Sequence, residues 1–252
     1  NILRIKKDSP TVKSFTISDE EISKAKPGQF AMVWVPDGGE IPLSISNVKN
    51  DKIEITVKEV GEVTRALNSK NEGDLIGVRG PYGNSFSKPT RGEIALVGGG
   101  CGLPPLRFYY NYYSGSNDHF HFVIGARNSK EILFKKELNP PYIATEDGSA
   151  GRKGLVLEPL KELLDDKNID MVLTAGPEKM MYQIFKICQD RNIFMEASLE
   201  RFMKCGFGVC GSCLIDGFRV CKDGPIADIE KLSELDEFGK VTSDLYHIDP
   251  DF

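Results

Sequence analysis

The sequence predicts a β-barrel followed by an α/β layer, with a small cysteine-bearing loop domain at the end. Three observations carry this. Residues 1 to about 90 are short runs of alternating apolar and polar residues. Strands and helices then alternate to residue 198, and four of the six cysteines fall between positions 205 and 221. The reading divides the chain into 1–90, 91–198 and 199–252.

In the first part, "TVKSFTI", "QFAMVWV", "PLSISNV", "DKIEITVKEV" and "GDLIGVRGP" are β-branched runs punctuated by Gly and Pro. Only "VTRALNS", residues 63–69, reads as helix. Short strands at this spacing predict an antiparallel barrel. From Gly92 the pattern changes. "EIALVGGG", "HFHFVIGAR", "PYIAT", "IDMVLTAG" and "IFMEAS" read as strands. Between them "LPPLRFYYNYY", "KEILFKKEL", "LVLEPLKELLDD" and "PEKMMYQIFKICQDR" read as helices. Such alternation means βαβ units and a parallel sheet, whose ligands sit at the carboxyl ends of the strands. Those ends are Gly98–Gly100, Gly125–Arg127, Thr145–Gly148 and Ala175–Pro177.

At 252 residues, 40% hydrophobic and 27% charged, the composition is that of a soluble globule. There is no apolar run of about 18 residues to span a bilayer. "NILRIKKDSP" lacks the apolar region of a signal peptide. The expectation is therefore a cytoplasmic protein with reduced thiols. A net charge of −5 and a pI near 5.4, without a basic patch, argue against nucleic acid.

The cysteines Cys205, Cys210, Cys213 and Cys221 read C-x4-C-x2-C-x7-C. Soft thiolates select zinc, copper(I) or iron–sulfur clusters. Zinc sites usually pair two C-x2-C knuckles, and only one x2 spacing occurs here. The first three cysteines match a plant-type [2Fe–2S] spacing, whereas the fourth arrives much earlier than in that type. Gly206, Gly208 and Gly211 would let the loop wrap tightly and aim N–H groups at sulfur. The spacing favours [2Fe–2S], with zinc and free thiols as the alternatives. Cys188, on an amphipathic helix, and Cys101, in a glycine turn, read as small core residues.

"VGGGCGLPPL", residues 97–106, follows a strand and opens a helix, where helix N–H groups can hold a phosphate. "TAGPEKMM", residues 174–181, sits at a second strand end and is compatible with a nucleotide on the same edge. "VGEVTRALNS" either caps a short helix through Thr64 or offers N–H groups to a pyrophosphate. His119 and His121 read as sheet positions, "FYYNYY" as packing, and the tail from residue 226, with eight acids against two lysines, as a solvated face.

Together these motifs resemble a known family. A barrel carrying "PLSIS", "KEVGEVTRAL" and "GPYGNSF" resembles the flavin half of the ferredoxin–NADP reductase superfamily. "GGGCGLPPL" and "AGPEKMM" resemble its pyridine-nucleotide half. "LERFMKCGFGVCGSCLI", "VCKDGP" and "TEDGSAGRKGLV" are similar to one branch, the electron-transfer subunits of class 1B dihydroorotate dehydrogenase.

The resemblance implies that Pro42, Leu43 and Ser44 contact the flavin of FAD, and that Gly61, Val63 and Thr64 hold its pyrophosphate. It implies a nicotinamide nucleotide site lined by Gly98, Gly99, Gly100, Gly102 and Pro104, with Glu146, Asp147, Gly176 and Met180 nearby. The four loop cysteines would ligate a [2Fe–2S] cluster. Glu146 and Asp147 would favour NADH by accepting from a ribose hydroxyl, against Arg127, which would suit a 2′-phosphate. One residue departs from the pattern: where the family commonly has arginine before the flavin-motif proline, Ile41 stands. Arg65 and Arg79 are the candidates to replace that charge.

The implied activity is electron transfer between NAD(H), FAD, the cluster and a separate FMN-containing catalytic subunit, in a heterotetramer of pyrimidine biosynthesis. Two other readings share some of these features: the equivalent subunit of a sulfide dehydrogenase or cytoplasmic hydrogenase, and a zinc-stapled binding module.

Overall fold

The structure, a computed structural model, describes residues 1–89, 92–138 and 142–240. The end of the acidic tail, 241–252, and the expected boundary at 90–91 lie outside the described residues.

Six strands make the first sheet: β1 (Ile2–Lys7), β2 (Val12–Ser18), β3 (Phe30–Val35), β4 (Gly39–Lys49), β5 (Lys52–Lys58) and β6 (Gly77–Tyr82). Their order is β1-β2-β5-β4-β3-β6, with every pairing antiparallel. The ends are drawn together where Ile2 N–H donates to the Asp74 carbonyl (2.9 Å) and Gly73 N–H to that of Ile2 (2.8 Å). This barrel-like closure encloses Phe15, Val33, Ile45, Ile53 and Ile55. Each such side chain contributes roughly 1.5–3 kcal/mol by leaving water. Helix α1 (Glu62–Asn68) packs on the barrel, a Cβ at Gly38 falling 2.8 Å from that of Ala66.

The second sheet holds β7 (Glu93–Gly99), β8 (His119–Ala126), β9 (Tyr142–Thr145), β10 (Arg152–Lys153), β11 (Met171–Ala175) and β12 (Phe194–Ser198). All six are parallel, in the order β10-β9-β8-β7-β11-β12. The chain starts this sheet in the middle, at β7, and builds outward to each side. The switch point therefore lies beside β7, between β8 and β11. Helices α2 (Leu103–Tyr113), α3 (Leu157–Asp166) and α4 (Glu178–Arg191) form the connections. Past the cysteines, a hairpin of β13 (Leu214–Ile215) and β14 (Phe218–Arg219) precedes β15 (Ile226–Asp228). β15 adds antiparallel to β12 and leads into α5 (Ile229–Ser233).

The two sheets share an interface through α2. Phe108 is buried within the barrel's own apolar cluster, and Arg107 pairs with Glu54 of β5 at 2.5 Å. Tyr109 is fully buried and its hydroxyl donates to the Ser87 carbonyl (2.9 Å). Phe108 and Tyr109 of "FYYNYY" are thus packing, while Asn111 and Tyr112 face solvent.

One expected helix is not there. Over 130–138 the chain makes a 3-10 turn at Ser129–Glu131 and then turns again, with Phe134 at φ 53°. Ile132, Leu133, Phe134 and Leu138 all enter one core cluster. Three consecutive residues on a helix point about 100° apart, so they could not share one buried face.

Glu196, on β12, is 5% exposed and accepts from Ser87 N–H (2.9 Å) and Oγ (2.6 Å). Burial pushes its carboxyl upward, only partly offset by the Ser87 bonds. The folded state therefore holds this proton more tightly than the unfolded chain. The stability linked to it is complete at low pH and lost as pH rises through the folded value. Glu196→Gln keeps an oxygen for Ser87 N–H without the charge. It should melt higher than wild type at pH 8 and lose that advantage as pH falls towards 4, in thermal scans across pH.

Candidate functional site

The cysteine loop is built by backbone conformations that need glycine. Gly206, Gly208 and Gly211 have φ of 83°, 87° and 75°, a region costly for side-chain-bearing residues. Asp216 and Gly217, both at positive φ, close the β13–β14 hairpin as a two-residue turn. That hairpin accounts for the short x7 spacing: it folds Cys221 back on Cys213, with Cys221 N–H on the Cys213 sulfur at 3.4 Å. Two more amides point at sulfur, Gly208 N–H at Cys221 (3.1 Å) and Val209 N–H at Cys205 (3.4 Å).

The thiols fall into two interacting pairs, Cys205 with Cys210 and Cys213 with Cys221. Burial, which would raise the Cys205 thiol, is outweighed by the amides of Cys210, Phe207 and Val209, which bring it down to about 6. Burial and the neighbouring Cys213 push Cys221 up to about 12. Four thiols on one loop, three of whose sulfurs receive main-chain N–H groups, are a donor set that would hold an iron–sulfur cluster. Cys188 is fully buried on α4, and burial pushes it up to about 12. Cys101 is half-buried and pushed up to about 11 for the same reason.

The loop is moored to the barrel. A Cβ at Gly206 would lie 2.7 Å from Met32 Cγ on β3. Met32 is the cross-strand partner of Pro42, and adjacent strands lie about 4.8 Å apart. The first cysteine thus stands about one strand from the "PLSIS" motif. Asn84 fixes the far end: it accepts from Ile226 N–H (2.9 Å) and donates to the Ile226 carbonyl (2.8 Å). "GPYGNSF" is accordingly the joint between barrel and cysteine loop.

At the parallel sheet's carboxyl edge the expected nucleotide residues meet. The turn Gly100–Gly102 leaves β7 and packs against β5 of the barrel. A Cβ at Gly102 would overlap the Ala175 carbonyl of β11. One at Gly99 would meet Met180 Sδ (2.8 Å), and one at Gly176, itself at φ 143°, the Gly99 carbonyl (2.9 Å). Gly99, Gly102, Gly176 and Met180 therefore form one contact between β7 and β11, with Gly98 in register with Ala175, while Gly100 stands in open space beside it. Pro104 is buried in the first turn of α2 and shapes the helix start. Glu146 and Asp147 lie two strands away, hydrogen-bonded through their N–H groups to the carbonyls of Ala126 and Arg127 (3.1 and 3.2 Å). Asp147 turns its carboxylate onto Ser149, accepting from N–H (2.9 Å) and Oγ (2.6 Å). Glu146 is exposed.

On the barrel, Pro42, Leu43 and Ser44 are half-buried along β4. Beyond them, Ser46 Oγ is buried and without a hydrogen-bond partner in the protein. α1 begins at Glu62, one residue before the start the sequence suggests, and its N-cap is Gly61 and not Thr64. Thr64 is the third helical residue, and its hydroxyl accepts from Gly61 N–H (2.8 Å) and Val60 N–H (2.9 Å). Gly61 thus gives open space, with no atom within 4 Å of a Cβ there, and its amide is already used. Val63 packs on Gly39 at the start of β4 (3.3 Å to a Cβ).

The charge expected to replace the missing arginine at Ile41 is not supplied by Arg79. Its Nε and Nη2 donate to Glu40 (2.7 Å each). Nη1 donates to the Cys205 carbonyl (2.5 Å) and Tyr82 Oη (3.5 Å), and Nη2 also to the Lys204 carbonyl (3.4 Å). A guanidinium has five N–H groups, and all have partners here. Arg65 is exposed and lines, with Lys7 and Lys13, a cleft between the β1–β2 turn and α1.

Residues 200–233 match the family described as the iron–sulfur cluster binding domain of dihydroorotate dehydrogenase B. A Methanocaldococcus jannaschii protein named as a probable dihydroorotate dehydrogenase B (NAD(+)), electron transfer subunit, is 41% identical over 251 residues, covering 96% of this chain and 95% of the relative. A Thermococcus kodakarensis protein of the same name is 42% identical over 228 residues, covering 89% and 93%. Among solved structures, an NADH-dependent reduced ferredoxin–NADP oxidoreductase, described for flavin-based electron bifurcation, superposes with a TM-score of 0.85 at 29% identity, covering 96% and 93%. The ferredoxin reductase of carbazole 1,9a-dioxygenase shares the fold at TM-score 0.68 and 17% identity, over 76% of this chain and 64% of that one.

Proposed function

Because the chain belongs to the family of dihydroorotate dehydrogenase B electron transfer subunits, we propose that it carries electrons between NAD(H) and a separate FMN-containing catalytic subunit, through FAD on the barrel and a [2Fe–2S] cluster on the cysteine loop. The complex is a heterotetramer working in the cytoplasm, in pyrimidine biosynthesis. The observation that carries this is the contact of Gly206 with Met32, the partner of Pro42. It supports the reading because the residue after the first cysteine approaches the strand paired with "PLSIS".

The bound groups supply the redox chemistry, turning the two-electron exchange of a nicotinamide into single-electron steps. The chain's own residues position them. Pro42 and Ser44 offer one half-buried face of β4 to a flat ring, with Leu43 between them packed on the barrel core, and the first turn of α1 offers its partial positive charge to a pyrophosphate. The Gly98–Gly102 turn and Gly176 let a nucleotide approach backbone at the sheet switch point. Glu146 accepts from a ribose hydroxyl and disfavours a 2′-phosphate, which makes NAD(H) the preferred cofactor. Cys205, Cys210, Cys213 and Cys221 hold the irons.

Around exposed Cys210 the surface is apolar: Phe207 is 51% exposed, Val209 75% and Leu214 48%. Isolated apolar side chains are ordinary on a surface, but a cluster of them is a docking feature. We assign this face to the catalytic subunit, which receives electrons where the cysteine loop meets solvent.

The holoprotein alone should reduce an artificial dye with NADH and show no dihydroorotate oxidation. Adding the separately expressed FMN subunit should restore dihydroorotate-dependent NAD+ reduction. Dihydroorotate turnover by the isolated chain would overturn the subunit reading. Failure with the FMN subunit, together with activity on sulfide or hydrogen beside another partner, would replace the substrate.

A further inference from the structure

Arg79 joins three parts of the molecule that lie far apart in sequence. It stands on β6, opposite Met32 of β3. Its forked guanidinium closes on both oxygens of Glu40, at the start of β4, at 2.7 Å each. Its remaining donors reach the main chain of the cysteine loop, at the carbonyls of Cys205 (2.5 Å) and Lys204 (3.4 Å), and Tyr82 Oη. The rings of Tyr82 and Phe207 lie 5.6 and 5.9 Å from the guanidinium carbon. The side chain is about one-third exposed, and that of Glu40 slightly less.

Every donor of this arginine is therefore engaged, and the order of the charges is fixed: the cation against the first cysteine's peptide, the anion behind it. We propose that Arg79 is a positioning residue that locks the cysteine loop onto the barrel and sets the cluster's reduction potential, with Glu40 as its counterweight. The inference rests on the [2Fe–2S] reading above. A reduced cluster carries one more negative charge than an oxidised one. A nearby fixed cation favours reduction, and a nearby anion opposes it. Net charge and hydrogen bonding around the sulfurs are among the levers that set such potentials. Lysine could keep the charge but could not hold Glu40 and the Cys205 carbonyl together, because it lacks the planar fork.

The two members of the pair should consequently act with opposite signs, which a purely mechanical brace would not do. The test is potentiometric titration of the holoprotein followed by electron paramagnetic resonance, with iron, sulfide and FAD assayed in each sample. Arg79→Met should shift the cluster to a more negative potential and Glu40→Gln to a less negative one. Arg79→Lys should fall between wild type and Arg79→Met. FAD content should stay at the wild-type level in all three. Shifts in the same direction, or no shift in either, overturn the proposal. So does loss of FAD with an unmoved potential, which would assign Arg79 to the flavin pyrophosphate. If Arg79→Met fails to retain the cluster, the sign of the Glu40→Gln shift decides alone, and a more negative or unmoved potential there overturns the proposal. Wild-type protein without iron and sulfide would instead sink the cluster reading itself, a result the metal assay separates from the others.

Discussion

Cys213→Ser should strip the cysteine loop of its cluster, taking iron and acid-labile sulfide from about two each per chain to near zero. Cys213 is 2% exposed and faces Cys221 across the β13–β14 hairpin, whose N–H already reaches its sulfur. A serine there offers a hard oxygen that stays protonated at neutral pH, where the iron requires a soft anionic ligand. Burial also keeps water from standing in as the fourth ligand. Visible absorption of the cluster should vanish while bound FAD persists, because the barrel motifs lie on other elements. NADH:dye reduction should survive, and transfer to the catalytic subunit should not. Cys188→Ser is the matched control. That thiol is fully buried on α4, so its loss should lower the melting temperature and leave the iron content alone. One zinc and no sulfide in the wild-type protein, or full iron in Cys213→Ser, would defeat the assignment.

The architecture was legible because it is written in local periodicity. Alternating runs such as "KIEITVK" and the buried run "EIALVGG" became β5 and β7, and each has the side-chain pattern its sheet demands. The first strand, Ile2–Lys7, is not among the expected runs, since only its pairing with β2 and its bonds to Gly73 and Asp74 reveal it. The helix expected over 130–138 failed for a related reason: its apolar residues answer to a core cluster drawn from several elements, and tertiary burial overrode propensity.

At the candidate site, residue types were easier to read than their roles. The four cysteines and their glycines are a short-range pattern. The "DG" in "LIDGFR", flanked by apolar residues, is a hairpin signal that explains the x7 spacing and was available in the sequence. Thr64 is a capping residue, but its hydroxyl reaches back to the N-cap from inside the helix. Asp147 is at the expected strand end, yet its own turn uses its carboxylate. Arg79 could not have been placed from sequence. Its partner carbonyl is 126 residues away, and nothing local distinguishes it from a surface arginine.

Gly102→Val should cut kcat/KM for NADH by about 100-fold or more, while FAD, iron and sulfide remain at wild-type levels. Gly102 has an ordinary φ of −75°, so its backbone does not require glycine. The space does. A Cβ there would overlap the carbonyl of Ala175 and the N of Gly176, far inside the roughly 3.5 Å that non-bonded carbons accept. That backbone cannot yield. β11 is held between β7 and β12 over its whole length, and Ala175 is in register with Gly98 and Ser198. The turn must move instead, and the Gly99–Met180 and Gly176–Gly99 approaches move with it. Displacement of a positioning element by about 1 Å can cost 100-fold in rate. Gly100→Ala separates this from a general intolerance of side chains in the turn. Gly100 has φ 54° and no atom within 4 Å of a Cβ, so its cost is local backbone strain of about 1–2 kcal/mol, and its effect on NADH should be less than tenfold. Steady-state kinetics with NADH and dye on both variants, beside their cofactor contents, make the comparison. Equal losses in the two would show that the turn senses any side chain, and an unimpaired Gly102→Val would remove the switch point from the nucleotide site.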